Sequence, residues 1–135
     1  MENIWTINDD LAERNRFKEF NKKHPREYAA CFANLEHVVE LLNRGGGAGT
    51  FQVGFFRSEG ENVYRIGQTG VKHAVETRLY VYVYTQGHTV YVLTIGDKTQ
   101  QADDIRRCKA IARDWVRRRE HEKEKEIHER SHAGG

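Results

Sequence analysis

Arg78 heads a run of alternating tyrosines, Arg78-Leu79-Tyr80-Val81-Tyr82-Val83-Tyr84, and Lys98 follows the next apolar segment within Gly96-Asp97-Lys98. A guanidinium can hold two phosphate oxygens at once and stays charged. An ammonium at a strand end can stabilise developing negative charge or protonate a leaving oxygen. Lys72 and His73 lie just upstream of Arg78, and an imidazole suits proton abstraction near neutral pH. Tyr80 and Tyr82 offer rings on which unpaired bases could stack. Each residue also has a purely structural alternative. Arg78 could pair with Glu76, Lys98 could pair with Asp97, and the tyrosines could pack beneath a helix. His121 and His128 have no ligand-like companions and neither cysteine sits in a CxxC pair, so no metal site and no cofactor is expected.

Turn counting places the first two candidates together. Gln86-Gly87-His88 separates two apolar segments, which signals an antiparallel hairpin. Counted outward from that turn, Arg78 and Ile95 lie at similar distances. Arg78 and the loop holding Lys98 should therefore meet at one edge of a sheet, within reach of a single phosphate.

The elements that would carry these residues can be read along the chain. Ile4-Trp5-Thr6-Ile7 reads as an edge strand. Asn8-Asp9-Asp10 supplies cap residues for a helix from about Leu11 to Lys22, with Arg16 on its solvent side. Pro25 opens a second helix, from about Arg26 to Asn43, whose Cys31, Leu35, Val38 and Leu42 form one apolar face. Gly45-Gly46-Gly47 stops it. Phe51 to Arg57 and Asn62 to Ile66 flank Ser58-Glu59-Gly60-Glu61 as a hairpin. From His73 to Tyr84 the pattern has period two. Val75, Thr77, Leu79, Val81 and Val83 take one face, and Glu76, Arg78 and the tyrosines take the other. The valine-leucine face should pack on the helical hairpin. Asp103 or Asp104 opens a last helix striped by Ile105, Cys108, Ala112 and Trp115.

This order predicts an α+β domain with helices on one face of a meandering antiparallel sheet. Residues 1–119 make the domain, and the charged tail 120–135 is expected to fray, with 131–135 disordered. At 135 residues with 38% apolar and 31% charged content, one soluble domain is expected. A net charge of +2 leaves room for a local basic site without the strong excess usual in nucleic-acid binders. The N-terminus lacks the pattern of a signal peptide, so a cytoplasmic location with two buried, reduced thiols is expected.

Gly96-Asp97-Lys98-Thr99-Gln100-Gln101-Ala102-Asp103-Asp104-Ile105 resembles the GDK-x-x-Q-x-x-D-I signature of addiction-module killer proteins. These belong to the RelE/ParE toxin superfamily, with HigB as a relative. Arg78-Leu79-Tyr80-Val81-Tyr82 is similar to that family's arginine-bearing strand, and the matched stretch spans Arg78 to Trp115. The resemblance implies a RelE-like fold and the toxin of a type II toxin–antitoxin pair. Its activity would be ribosome-dependent mRNA cleavage without metal, through 2′-hydroxyl attack on the adjoining phosphate. The alternatives are a non-enzymatic toxin binding a protein such as DNA gyrase, or a repurposed binding module. Under the nuclease reading, Arg78, Lys98 and His73 are catalytic candidates, and Arg65, Lys72, Tyr80 and Tyr82 are RNA-binding candidates. The partners would be a cognate antitoxin, helix-turn-helix or otherwise helical, and mRNA on the ribosome. Asp104 stands where some relatives carry a tyrosine.

Overall fold

In a computed structural model describing residues 4–133, with side chains to 130, five strands form one mixed sheet in the order β1-β5-β4-β3-β2. The elements are β1 (Thr6–Asn8), α1 (Arg14–Lys23), α2 (Pro25–Asn43), β2 (Phe56–Gly60), β3 (Val63–Gly67), β4 (Thr77–Tyr84), β5 (Thr89–Asp97) and α3 (Gln101–Ala133). β2 through β5 run antiparallel, whereas β1 pairs in parallel with β5. The α+β class expected from the sequence holds.

Each face of β4 has a helical layer, because its alternation is apolar on both sides. Leu79, Val81 and Val83 join Cys31, Leu35, Val38 and Leu42 of α2 and Phe17 of α1 in one buried core. Tyr80 and Tyr82 join Val63, Leu93, Cys108 and Ala112 in a second core under α3. The expectation of helices on a single face is thus corrected. The aromatic rings give the second face enough apolar area to hold α3.

β5 breaks the period-two pattern. Tyr80 pairs with Thr94 but Val81 pairs with Val92, so Leu93 is the extra residue of a bulge. Val90, Val92 and Ile95 therefore face the α1–α2 core, and Leu93 faces α3. The carbonyl of Leu93 accepts from the backbone N–H of Glu13 at 2.9 Å, which fixes where α1 begins.

Several boundaries differ from the sequence reading. α1 starts at Arg14 rather than Leu11, because Asn8 Oδ1 accepts from the Asp10 N–H in a local turn and does not cap a helix. β2 starts at Phe56, after a 3-10 turn over Ala48–Thr50. The β2–β3 turn is Glu61-Asn62, at φ 56° and 63°, the left-handed pair that a two-residue hairpin needs. β4 starts at Thr77, since His73 lies at φ 55° and interrupts the extended run. The charged segment expected to fray continues α3 to Ala133, and residues 134–135 lie outside the described residues. Both thiols are free and buried, and burial pushes each up to about 12. No helix among the described residues is long and apolar enough to cross a membrane.

Candidate functional site

Three arginines converge at one corner of the sheet. Arg57 on β2 lies directly opposite Arg65 on β3, and Arg65 pairs in turn with Tyr80 on β4, two residues along from Arg78. Residues two apart on a strand share a face, so Arg57, Arg65 and Arg78 all stand on the α3 side. They line a cavity of 290 Å³ whose other walls include Phe55, Gln68 and Thr69. Like charges placed directly opposite in a sheet are destabilising. A corner that accepts this arrangement is suited to an anion.

Arg78 is flanked across the sheet by Gly67 on β3 and Gly96 on β5. The Arg78 guanidinium lies against Gly67, where an added Cβ would be 3.6 Å from Nη1, while the Arg16 and Asp104 side chains occupy the space over Gly96. Its Nη1 reaches the carbonyl of Thr77 only at 3.5 Å. Its Nε is buried and has no partner among the described residues. A buried N–H of this kind costs stability unless something accepts from it. A phosphate oxygen in the cavity would do so.

Arg65 is held by Glu59, with Nε 3.3 Å from Oε1 and side chains only 24% and 17% exposed. Glu59 is the carboxylate that the structure sets against the arginines. Sequence reading had placed it in a turn. β2 instead runs on through Glu59, two residues beyond Arg57, so the two share the arginine face.

The loop joining β3 to β4 walls the cavity, and α2 pins that loop. Asn34 Nδ2 donates to the Gly67 carbonyl at 2.7 Å and to Thr69 Oγ1 at 3.3 Å. The buried carboxylate of Glu27 accepts from the Val75 N–H at 3.2 Å, and that bond holds its pKa below the ordinary value of 4.5. Gln68 Oε1 accepts from the Thr77 N–H at 2.8 Å. The sequence gives one retrospective signal for Asn34 and Glu27. Both are polar residues on the buried side of an otherwise apolar helix.

The candidates named from the sequence fall into four groups. Arg65 and Arg78 share the cavity. Lys72 and His73 are exposed in the β3–β4 loop, at the sheet end where Arg78 lies. Lys98 reaches the expected edge, because Arg78 pairs with Gly96 and Thr77 with Asp97. Its ammonium is directed to Glu76, 3.4 Å away, and its backbone N–H donates to the Glu76 carbonyl. Tyr80 is fully buried and Tyr82 is 6% exposed, both beneath α3. Their rings are core, so no base can stack on them while α3 is docked. Burial also pushes the Tyr80 phenol up, and its hydroxyl has no partner among the described residues.

Among the described residues, no group of His, Cys, Asp or Glu could hold a metal ion. The arrangement can bind an anion at fixed guanidiniums with one carboxylate beside them. No family model, curated protein or solved structure matches this chain.

Proposed function

We propose that this chain is a RelE-like toxin that cleaves mRNA on the ribosome in the cytoplasm, held in check by an antitoxin encoded beside it. The arginine corner carries the proposal: Arg57, Arg65 and the unsatisfied Arg78 Nε around one cavity. The resemblance of residues 78–115 to the killer-protein signature supports the same reading. In the reaction, the 2′ oxygen attacks phosphorus, the bond to the 5′ oxygen breaks, and a 2′,3′-cyclic phosphate forms. The arginines would neutralise the charge gathering on the non-bridging oxygens. Glu59, next to Arg65, would take the 2′ proton, and the exposed His73 or Lys98 would supply one to the departing 5′ oxygen.

The test is a translating extract given purified protein, followed by mapping of mRNA ends. Cuts within translated codons that carry cyclic or 3′-phosphate ends are expected, together with arrest of bacterial growth relieved by the neighbouring gene. Normal growth at confirmed soluble expression overturns the toxin reading. Arrest with intact mRNA and inhibited DNA supercoiling would replace the nuclease by a gyrase-directed toxin.

A further inference from the structure

A second groove lies on the same face of the sheet, on the other side of Glu59 from the arginine corner. It measures 610 Å³ and runs between α3 and the β2–β3 turn. Tyr82, Ala112 and Val116 give it an apolar floor, and Asn62, Arg113 and Arg117 stand on its rim. An apolar floor under a few convergent polar groups is the usual form of a small-ligand site.

The rim is cationic in a regular way. Lys109, Arg113 and Arg117 follow one another at four-residue steps on α3, so they share one face about 6 Å apart. Lys109 lies against Gly60, where an added Cβ would be 3.4 Å from its ammonium. Arg113 is paired with Glu61 at the turn, at 2.8 Å and 2.5 Å. That pair is about half exposed on both sides, so a phosphate can compete for it at low cost. Arg117 is exposed and makes no ion pair among the described residues.

The groove is aligned with the arginine corner. Tyr82 pairs with Val63, and Arg78 pairs with Gly67. Four residues of strand separate the two sites by about 13 Å. An extended nucleotide spans roughly 6–7 Å of backbone, so about two unstacked nucleotides bridge that distance.

We infer that this groove binds a nucleobase of single-stranded RNA, about two nucleotides from the phosphate held by Arg57, Arg65 and Arg78, with the phosphates on either side of that base on Lys109, Arg113 and Arg117. The inference rests on the RNA reading of the arginine corner. A base inserted edge-on would cover Ala112 and Val116, and the Asn62 amide would meet its polar edge. A duplex cannot enter, since its bases are paired and stacked away from the floor.

The experiment uses a 2′-O-methyl hexaribonucleotide, which cannot undergo 2′ attack, carrying a fluorophore for anisotropy. Arg117→Glu should raise Kd roughly tenfold and flatten the salt dependence. Asn62→Gly keeps the left-handed turn, since φ there is 63°, and should raise Kd several-fold with unchanged melting temperature. In a set of hexamers each with one abasic residue, a single interior position should lose affinity much more than the rest. Wild-type affinity in both variants overturns the inference. So does equal binding of duplex RNA, or loss spread evenly over the abasic set, either of which marks a general polyanion surface. Binding with the expected pattern but no cleavage of mRNA in the translating extract sinks the nuclease reading and leaves this one standing. Cleavage with KM unchanged in both variants does the reverse. No binding by the wild type at low salt removes this inference, and the translating extract decides the nuclease reading by itself.

Discussion

Arg16 on α1 and Asp104 on α3, 88 residues apart, form a two-point ion pair at 2.6 Å and 3.0 Å. The Asp104 side chain is 1% exposed and also faces Arg107 at 3.3 Å. Arg16 further donates to Gln100 Oε1 at 2.5 Å. This cluster lies directly over Gly96 of β5. It ties the two helical layers together past the end of the sheet and gives the Gly96-to-Ile105 signature a structural content. Gly96 makes room for the pair, and Asp97 accepts from the Thr99 N–H at 2.9 Å to start the 3-10 turn. Lys98 pins the chain to Glu76, and Asp104 receives Arg16.

Gly96→Ala should therefore destabilise the fold, and Gly96→Val more so. An added Cβ would stand 2.5 Å from Asp104 Oδ2 and 2.6 Å from Arg16 Nη2. Accommodation would push the buried carboxylate off its partner, and breaking such a pair typically costs about 3–5 kcal/mol. The cause is close approach and not a left-handed backbone, since Gly96 is absent from the positive-φ glycines. Gly67→Ala is the control, because its Cβ would meet Arg78 Nη1 at an ordinary 3.6 Å. Thermal melts should show a large drop for Gly96→Ala and a small one for Gly67→Ala. Equal drops would remove the role assigned to the ion pair.

Acid should loosen the same junction. Burial pushes the Glu13 carboxyl up, but the Arg107 guanidinium, 2.6 Å away, outweighs it, and the net pKa lies below 4.5. Asp97 is held below its ordinary 3.8, chiefly by Thr99. A carboxylate with a lowered folded pKa contributes stability above its unfolded value and loses it as pH falls through the folded one. Denaturant midpoints should accordingly be flat from pH 7 to about 5 and fall below about 4.5. Glu13→Gln should lower the neutral-pH midpoint and shrink the acid loss. An unchanged acid slope in that variant would place the titration elsewhere.

The extent to which this was legible in the sequence follows the physics of each element. Cys31, Leu35, Val38 and Leu42 repeat with helical spacing and were all found buried, because a single apolar stripe has one way to hide. The Arg78–Gly96 register came from turn counting, since an antiparallel hairpin fixes pairing outward from its turn. Arg16 was read as solvent-side, because its partner is 88 residues away and no local pattern encodes it. Glu59 was hidden because the strand is read as ending at Arg57, whereas pairing with β3 carries β2 on to Gly60 and brings Glu59 beside Arg65. Arg57 was missed for a similar reason. Its importance arises only when β3 brings Arg65 opposite it.

Removal of residues 120–135 should leave the melting temperature nearly unchanged. Every residue from 117 to 130 is exposed. Arg119 ties α3 to the sheet, since its Nε donates to the Tyr84 hydroxyl at 2.9 Å and its guanidinium lies over Tyr84 and Trp115. Truncation after Arg119 keeps them, whereas truncation after Arg118 should cost about 1 kcal/mol through loss of the cation–π contacts. Calorimetry on the two truncations compares them directly. A large drop in the longer one would show that the exposed half of α3 packs on something, such as a second copy.

Arg78 and Lys98 should separate by function, although they lie at the same end of the sheet. Arg78 faces the cavity with a buried, unsatisfied Nε, so its guanidinium is placed to meet a phosphate that water does not already solvate. Lys98 is 67% exposed and paired with Glu76, itself 55% exposed. A solvated, paired ammonium changes the field at the site little. Arg78→Ala should lower cleavage on the order of 100-fold or more, the usual loss for one transition-state cation. Arg78→Lys should recover little, because an ammonium cannot hold two oxygens in one plane. Lys98→Ala should lower the rate much less, unless substrate draws Lys98 away from Glu76. Glu76→Ala distinguishes these cases by freeing the ammonium. If Lys98 acts in catalysis, Glu76→Ala should raise the rate and Lys98→Ala should abolish that gain. If Lys98 only pins the loop, Glu76→Ala and Lys98→Ala should lower stability alike and leave the chemical step alone. Full activity in Arg78→Ala would end the assignment of the arginine corner as the site of cleavage.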